Sequence, residues 1–247
     1  LHQRRAEDPS RSSDRRSQDL AGSCADNIRL LGDIASARGD LSQARSHYLD
    51  ALEIRQKSVK LNAGTNLPSL EITIPPLMEA LGNVETRLQI WKDAEMHLNE
   101  ALKRYRKQGV PSGVAMSLRG LGTLSYELGH DEQALQLFDE ALQSLAPRDR
   151  QSDLAWDIHA RQALAVARQG DGVSALQTLE RCLAHWKDRG HIRWQGETKM
   201  QIAQVKYWQN RREEAVAILS SALTHFEGVG DAENARVARE LLAQTGK

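Results

Sequence analysis

The sequence predicts an all-α fold, a right-handed α-solenoid of five helical hairpins followed by a C-terminal capping helix. Three observations lead there. The chain is 40% hydrophobic but only 4% aromatic, and its apolar residues are mainly Ala and Leu. Ala, Leu, Arg, Gln and Glu are the strong helix formers, and β-branched or aromatic runs of strand length are missing. A small residue is followed 12, 16 and 19 positions later by a small, a large apolar and a second small residue, and this spacing occurs five times. The five anchors lie 50, 40, 41 and 40 residues apart, the regular period of a stacked repeat.

Gly32 leads to Ala44, Tyr48 and Ala51, and Gly82 to Ala94, Leu98 and Ala101. Gly122 leads to Ala134, Phe138 and Ala141, Ala163 to Ala175, Leu179 and Cys182, and Ala203 to Ala215, Leu219 and Ala222. In each unit the small anchor on a first helix lets a second helix approach closely. The large residue four positions beyond the first Ala shares that Ala's face, one turn later. Turn signals separate the two helices at Gly39-Asp40, Gly129-His130-Asp131 and Gly170-Asp171-Gly172, where glycine relieves the left-handed penalty at a helix end. The second unit is expected to turn at Trp91-Lys92-Asp93 and the fifth at Asn210-Arg211-Arg212.

The expected organisation is a polar tail or linker over 1–22, then hairpins over about 24–60, 76–109, 114–147, 154–189 and 196–228. The first interval is ten residues longer than the others, and the excess falls in "LNAGTNLPSLEITIPP". Pro68, Pro75 and Pro76 do not suit a helix interior, so an inserted loop is expected over 61–76, with Pro76 suited to a first turn after a Thr73 cap. Ala235, Val237, Ala238, Leu241 and Leu242 sit at helical spacing and predict a helix over 231–245, the cap that a solenoid end requires. The chain starts at Leu1 rather than Met, which leads us to expect a fragment or a processed product of a larger protein.

"LGDIASARGDLSQARSHYLDAL" and "LGTLSYELGHDEQALQLFDEAL" carry Leu-Gly, small, aromatic and small residues in an order that resembles the tetratricopeptide repeat. The resemblance covers about residues 24 to 225 and weakens in the fourth and fifth units, where Ala replaces Gly and Gln162 replaces Leu. The period of about 40 and links such as "RKQGVPSGVAMSLRGLG" and "KDRGHIRWQGETKMQIA" resemble the longer repeats of bacterial signal-transduction regulators and of some cell-polarity adaptors. The resemblance implies an α-solenoid that binds proteins. Family members that hold acidic chaperone C-termini use a Lys/Asn/Lys/Arg clamp. The matching positions here are Arg29, Asp33, Ala80, Met116 and Gly120, so the resemblance does not extend to that function.

Lys plus Arg and Asp plus Glu are equal at 33 each. That balance argues against a nucleic-acid binder, whose affinity rests largely on phosphate neutralisation. Two cysteines, Cys24 and Cys182, do not make a disulfide framework and read as reduced thiols in a cytoplasmic protein. No apolar run approaches the roughly 18 residues of a membrane span.

No catalytic constellation emerges, and no cofactor or metal site is expected. "GHIRWQGE" lacks the lysine of a phosphate loop, no His-Glu-x-x-His occurs, and Ser112 in "VPSGV" lacks the glycine of a nucleophile elbow. His185 and His191 flank a turn without ligands at metal spacing, and Cys182 occupies a packing slot as a buried thiol. "KRYRK" (Lys103 to Lys107) reads as a helix C-terminus complementing its dipole. Trp156, Trp186, Trp194 and Trp208 all fall in the last two units, where they either pack between repeats or form a second contact surface.

The candidate binding surface is the concave face of the first helices. Positions three before, one after and four after each anchor share the face turned away from the second helix. They are Arg29, Asp33 and Ser36; Glu79, Asn83 and Thr86; Arg119, Thr123 and Tyr126; Ala160, Leu164 and Ala167; and Met200, Gln204 and Tyr207. The expected groove is polar in its N-terminal half and apolar in its C-terminal half, suited to a peptide with one charged and one apolar end. Arg29 and Arg119 are placed to meet a partner carboxylate, and Asn83 to hold a peptide backbone by its amide. The sequence thus predicts a non-catalytic scaffold for a peptide or helix of a partner protein. The alternative is a ligand- or effector-sensing arm of a larger bacterial signalling ATPase.

Overall fold

The computed structural model describes residues 9–61 and 69–245. Twelve α-helices and one short 3-10 turn make up the described residues, which contain no strand. Helices α1 (Pro9–Ala37) and α2 (Leu41–Leu61) form the first hairpin. A single turn, α3 (Ser69–Ile72), precedes the second hairpin of α4 (Ile74–Arg87) and α5 (Trp91–Gln108). The third hairpin is α6 (Pro111–Glu127) with α7 (Asp131–Ser144), and the 3-10 turn Pro147–Asp149 leads to α8 (Asp153–Arg168) and α9 (Gly172–Asp188). The fifth is α10 (Ile192–Trp208) with α11 (Arg212–Gly228), and α12 (Ala232–Thr245) packs on α11. Each second helix also packs on the next first helix, and first helices touch from α4 to α12, so the all-α stack is continuous.

The recurrent spacing is the packing code of this stack. All fifteen positions downstream of the anchors are buried, none more than 3% exposed. Gly32 lies beneath the Tyr48 ring and Gly122 beneath Phe138, where an added Cβ would come within 2.6 Å of a ring carbon. Leu98 covers Gly82 in the same way. Glycine is therefore required here by the close approach of two helices rather than by backbone conformation.

The turns depart from expectation in the second unit. Trp91, Lys92 and Asp93 already belong to α5, and Gln89 adopts the left-handed conformation (φ 61°) that Gly39, Gly129 and Gly170 supply elsewhere. Asn210 does the same in the fifth unit (φ 61°), where its side chain makes it more tolerant than Gln. After the glycine turns, Asp40 and Asp171 accept the amides of Gln43 and Ser174 at 3.1 and 3.0 Å, capping α2 and α9.

The expected loop over 61–76 is shorter than its boundaries. Residues 62–68 lie outside the described residues, but 69–72 form α3 and Pro75 and Pro76 occupy the first turn of α4 after Thr73, where a missing N–H costs nothing. The segment expected to be a tail over 1–22 also changes character, because α1 begins at Pro9.

A groove closed by the last helix

The first helices α4, α6 and α8 line a partly open cavity of about 540 Å3, and α12 supplies its far wall. Asn83, Arg87, Arg119, Thr123, Glu127 and Arg161 face it from the repeats, and Glu233, Arg236 and Val237 from α12. A side pocket of about 50 Å3 opens between Thr123, Tyr126, Leu164, Arg161 and Gln201.

Arg119 organises the floor. Its guanidinium donates to Asp157 of α8 at 2.7 Å and to Glu79 of α4 at 3.1 Å, tying three successive first helices together. Asp157 also accepts from Arg161 at 3.1 Å, and Asn83 donates to Glu79. Glu79 and Asp157 side chains are only 8% and 5% exposed. Burial works against the Asp157 charge, but Arg161 and Arg119 outweigh it and hold its carboxyl below the usual carboxylate range. Burial likewise opposes the Arg119 charge and is outweighed by Asp157 and Glu79, so its affinity for the proton is raised.

The expected site residues separate into three groups. Asn83, Arg119 and Thr123 come together at the cavity, and Tyr126 and Leu164 at the side pocket. Glu79 lies under the floor, where Arg119 covers it. Arg29 and Asp33 pair with each other at 2.8 Å, and Asp33 accepts the Tyr48 hydroxyl at 2.7 Å. Gln204 and Tyr207 are exposed and line neither space. Arg29 and Arg119, read from the sequence as open to a partner carboxylate, are thus already engaged within the chain. Tyr126 is half-buried with Arg168 stacked on its ring at 3.7 Å, and burial pushes its hydroxyl up to about 12.

The expectation of an apolar C-terminal half is not met. Ala160 is buried at 3% exposure, and Met200 packs against two core clusters. Arg161 and Gln201, two positions before the anchors Ala163 and Ala203, take the inward places instead. In α4, α6 and α8 the inner stripe draws on positions six and two before, and one and five after, the anchor. It includes Asp157, Arg161, Arg87 and Glu127, which sequence reasoning missed. Extending the helical series in steps of three or four, forwards from Asn83 and Thr123 and backwards from Leu164, would have found them.

In the tryptophan-rich region Trp156, Trp186 and Trp194 are packing elements, whereas Trp208 is exposed. Trp186 is fully buried and stacks on Trp194 with ring centroids 5.2 Å apart, while His185 stacks on Trp156 at 4.9 Å. Asp153 binds His185 at 3.0 Å, Arg189 at 3.0 Å and His191 at 3.3 Å, joining the fourth and fifth units. Among the described residues no group of three or more His, Cys, Asp or Glu is arranged to hold a metal, and no helix is long and apolar enough to cross a membrane. Cys182 is buried, and burial pushes its thiol up to about 12.

Hairpins stacked in register around a curved inner face define a helical-repeat solenoid. Residues 74–145, from α4 to the C-terminus of α7, match the model of the tetratricopeptide repeat family, so the second and third hairpins carry tetratricopeptide repeats. No curated protein matches the sequence significantly. Among solved structures, BtubC from P. vanneervenii is similar over 89% of this chain and 90% of its own, at 20% identity and a TM-score of 0.60. A thermophilic TPR protein of Thermus thermophilus is similar over 90% of this chain and 98% of its own, at 18% identity and a TM-score of 0.55. The Rap conjugation gene regulator of plasmid pLS20, in complex with the Phr* peptide, has a TM-score of 0.63 at 14% identity. That likeness covers 90% of this chain but 64% of the regulator. At these identities the likeness concerns the fold.

Proposed function

We propose that this protein is a non-catalytic interaction scaffold that takes a peptide or helical segment of a partner protein into the groove closed by α12. The observation that carries the reading is the cavity of about 540 Å3 itself, within the size range of about 300–1,000 Å3 common to ligand sites. Its wall combines an amide, Asn83, and a hydroxyl, Thr123, with Arg87 and Glu127 as charged groups of opposite sign on adjacent units. Such a lining suits the alternating donors and acceptors of a peptide backbone. A Rap regulator of similar fold holds a peptide in its own structure, which supports the reading.

A second reading, a regulatory arm of a larger signalling protein, is favoured by the Rap likeness, in which this chain spans only 64% of the regulator. Both readings place the ligand in one site. The test is selection from a displayed library of short peptides on the wild-type protein, followed by titration against Thr123→Trp, which intrudes on both cavities, and Met96→Ala, an exposed position on α5 that lines neither. Loss of binding with Thr123→Trp alone, at unchanged helical signal, is expected. Equal affinity for all three proteins refutes the groove as the site.

A further inference from the structure

The last helix does more than cover the last hairpin. Its apolar side, Ala235 and Ala238, packs with Ala222 and Phe226 of α11, and Leu241 and Leu242 pack against the core around Ala203 and Leu219. Its first turn reaches the opposite end of the chain. The Glu233 side chain is only 14% exposed and rests on Gly39, in the turn between α1 and α2, where an added Cβ would have to displace its carboxyl end. Glu233 is held by Arg236 at 2.9 Å and faces Arg87 of α4 at 3.8 Å. Leu41, at the start of α2, and Val237 line the same cavity. The five hairpins therefore curve far enough for the two ends of the solenoid to meet.

From this contact we infer that α12 is a gate: its first turn latches onto the α1–α2 turn, and separation of that latch opens the cavity. The two sides of α12 are attached very differently. The side facing α10 and α11 is apolar and belongs to the core, whereas the latch consists of one carboxylate, one guanidinium and a bare glycine. Ion pairs at partly exposed sites contribute little in water and weaken with salt. The latch is thus the weakest seam around the cavity, and the α11–α12 packing is the hinge. The gate rests on the closing contact and not on what the cavity holds, so it stands or falls separately from the peptide reading.

The glycine turns supply the test. Gly39 and Gly129 have the same φ of 81°, but a Cβ at Gly129 would meet nothing within 4 Å. Gly39→Glu and Gly129→Glu therefore carry the same backbone penalty, and only the first places a side chain and a like charge against Glu233. Small-angle scattering of the full chain is measured from about 0.01 M to about 1 M salt, over which the screening length falls from ~30 Å to ~3 Å. The wild type and Gly129→Glu are expected to expand as salt rises. Gly39→Glu is expected to be expanded at every salt concentration, with an increased maximum dimension and an undiminished helical signal. Glu233→Gln, which leaves the backbone unstrained, is expected to remove most of the salt dependence. Equal dimensions for all four proteins at both salt limits, or equal expansion of the two glycine variants, overturns the gate.

Discussion

Replacing Arg119 with Met tests whether the floor of the groove is a structural tie. Met keeps the apolar stem in place, so the change removes charge and hydrogen bonds with little loss of packing. The guanidinium contributes bonds of 2.7 Å to Asp157 and 3.1 Å to Glu79, whose side chains are 5% and 8% exposed. Removing one partner of a buried pair costs about 3–5 kcal/mol when the other charge is orphaned. Here neither carboxylate is orphaned, since Asp157 keeps Arg161 at 3.1 Å and Glu79 keeps the Asn83 amide. The expected cost is therefore below that range, about 2–3 kcal/mol. Urea unfolding at pH 7 measures it, with helical signal for the whole stack and tryptophan fluorescence weighted toward the last two units. A solenoid can unfold in sections, so coincidence of the two probes is part of the result. The pH dependence supplies an independent sign. Asp157 has a depressed folded pKa, so its contribution is fully present above the unfolded value of about 3.9 and is lost as pH falls through the folded value. Without Arg119 one attracting charge is gone while burial remains, so the folded pKa rises toward the unfolded value and the acid-dependent loss of stability from Asp157 shrinks. A variant within about 0.5 kcal/mol of wild type, with the same acid limb, would refute the argument and show the triad to be solvated.

Two further outcomes follow from the packing. Gly228 ends α11 with nothing within 4 Å of an added Cβ, whereas at Gly122 that Cβ would lie 2.6 Å from Phe138 Cε1. Gly228→Ala should stabilise by up to about 1 kcal/mol, and Gly122→Ala should destabilise by about 1–2 kcal/mol as overpacking of about 1–3 exceeds the propensity gain; calorimetric melting temperatures that move in the same direction for both would contradict the close-approach account. Cys24 is exposed and Cys182 buried with its thiol pushed up to about 12, so a maleimide at pH 7.5 should modify one thiol in the native protein and both in urea. Native labelling of Cys182 would mean that the fourth unit opens readily.

The hairpins were legible because their information is local. Gly122 and Phe138 are sixteen positions apart, and the sizes of those two side chains set how closely α6 and α7 approach. The second turn was misplaced because Gln89 is a poor left-handed residue, carried there by packing on either side. The groove was half legible. Asn83, Thr123 and Leu164 face inward as expected, but Arg161 and Gln201 replace Ala160 and Met200. A helix seen alone does not reveal how far its inner stripe is rotated by the helices beside it. Arg119 was recognised as a groove residue, yet its engagement with Glu79 and Asp157 depends on three helices brought side by side.

The sequence by itself determined the repeat: small and large residues at fixed offsets, glycine turns with aspartate caps, and a final amphipathic helix. Those features act between neighbours in the chain, where side-chain volume and backbone preference are enough. The tertiary structure alone decided that the stack curves until Glu233 meets Gly39 and turns an open face into a partly enclosed cavity. That outcome is the sum of small rotations at every interface between units, and no single stretch of residues encodes the sum.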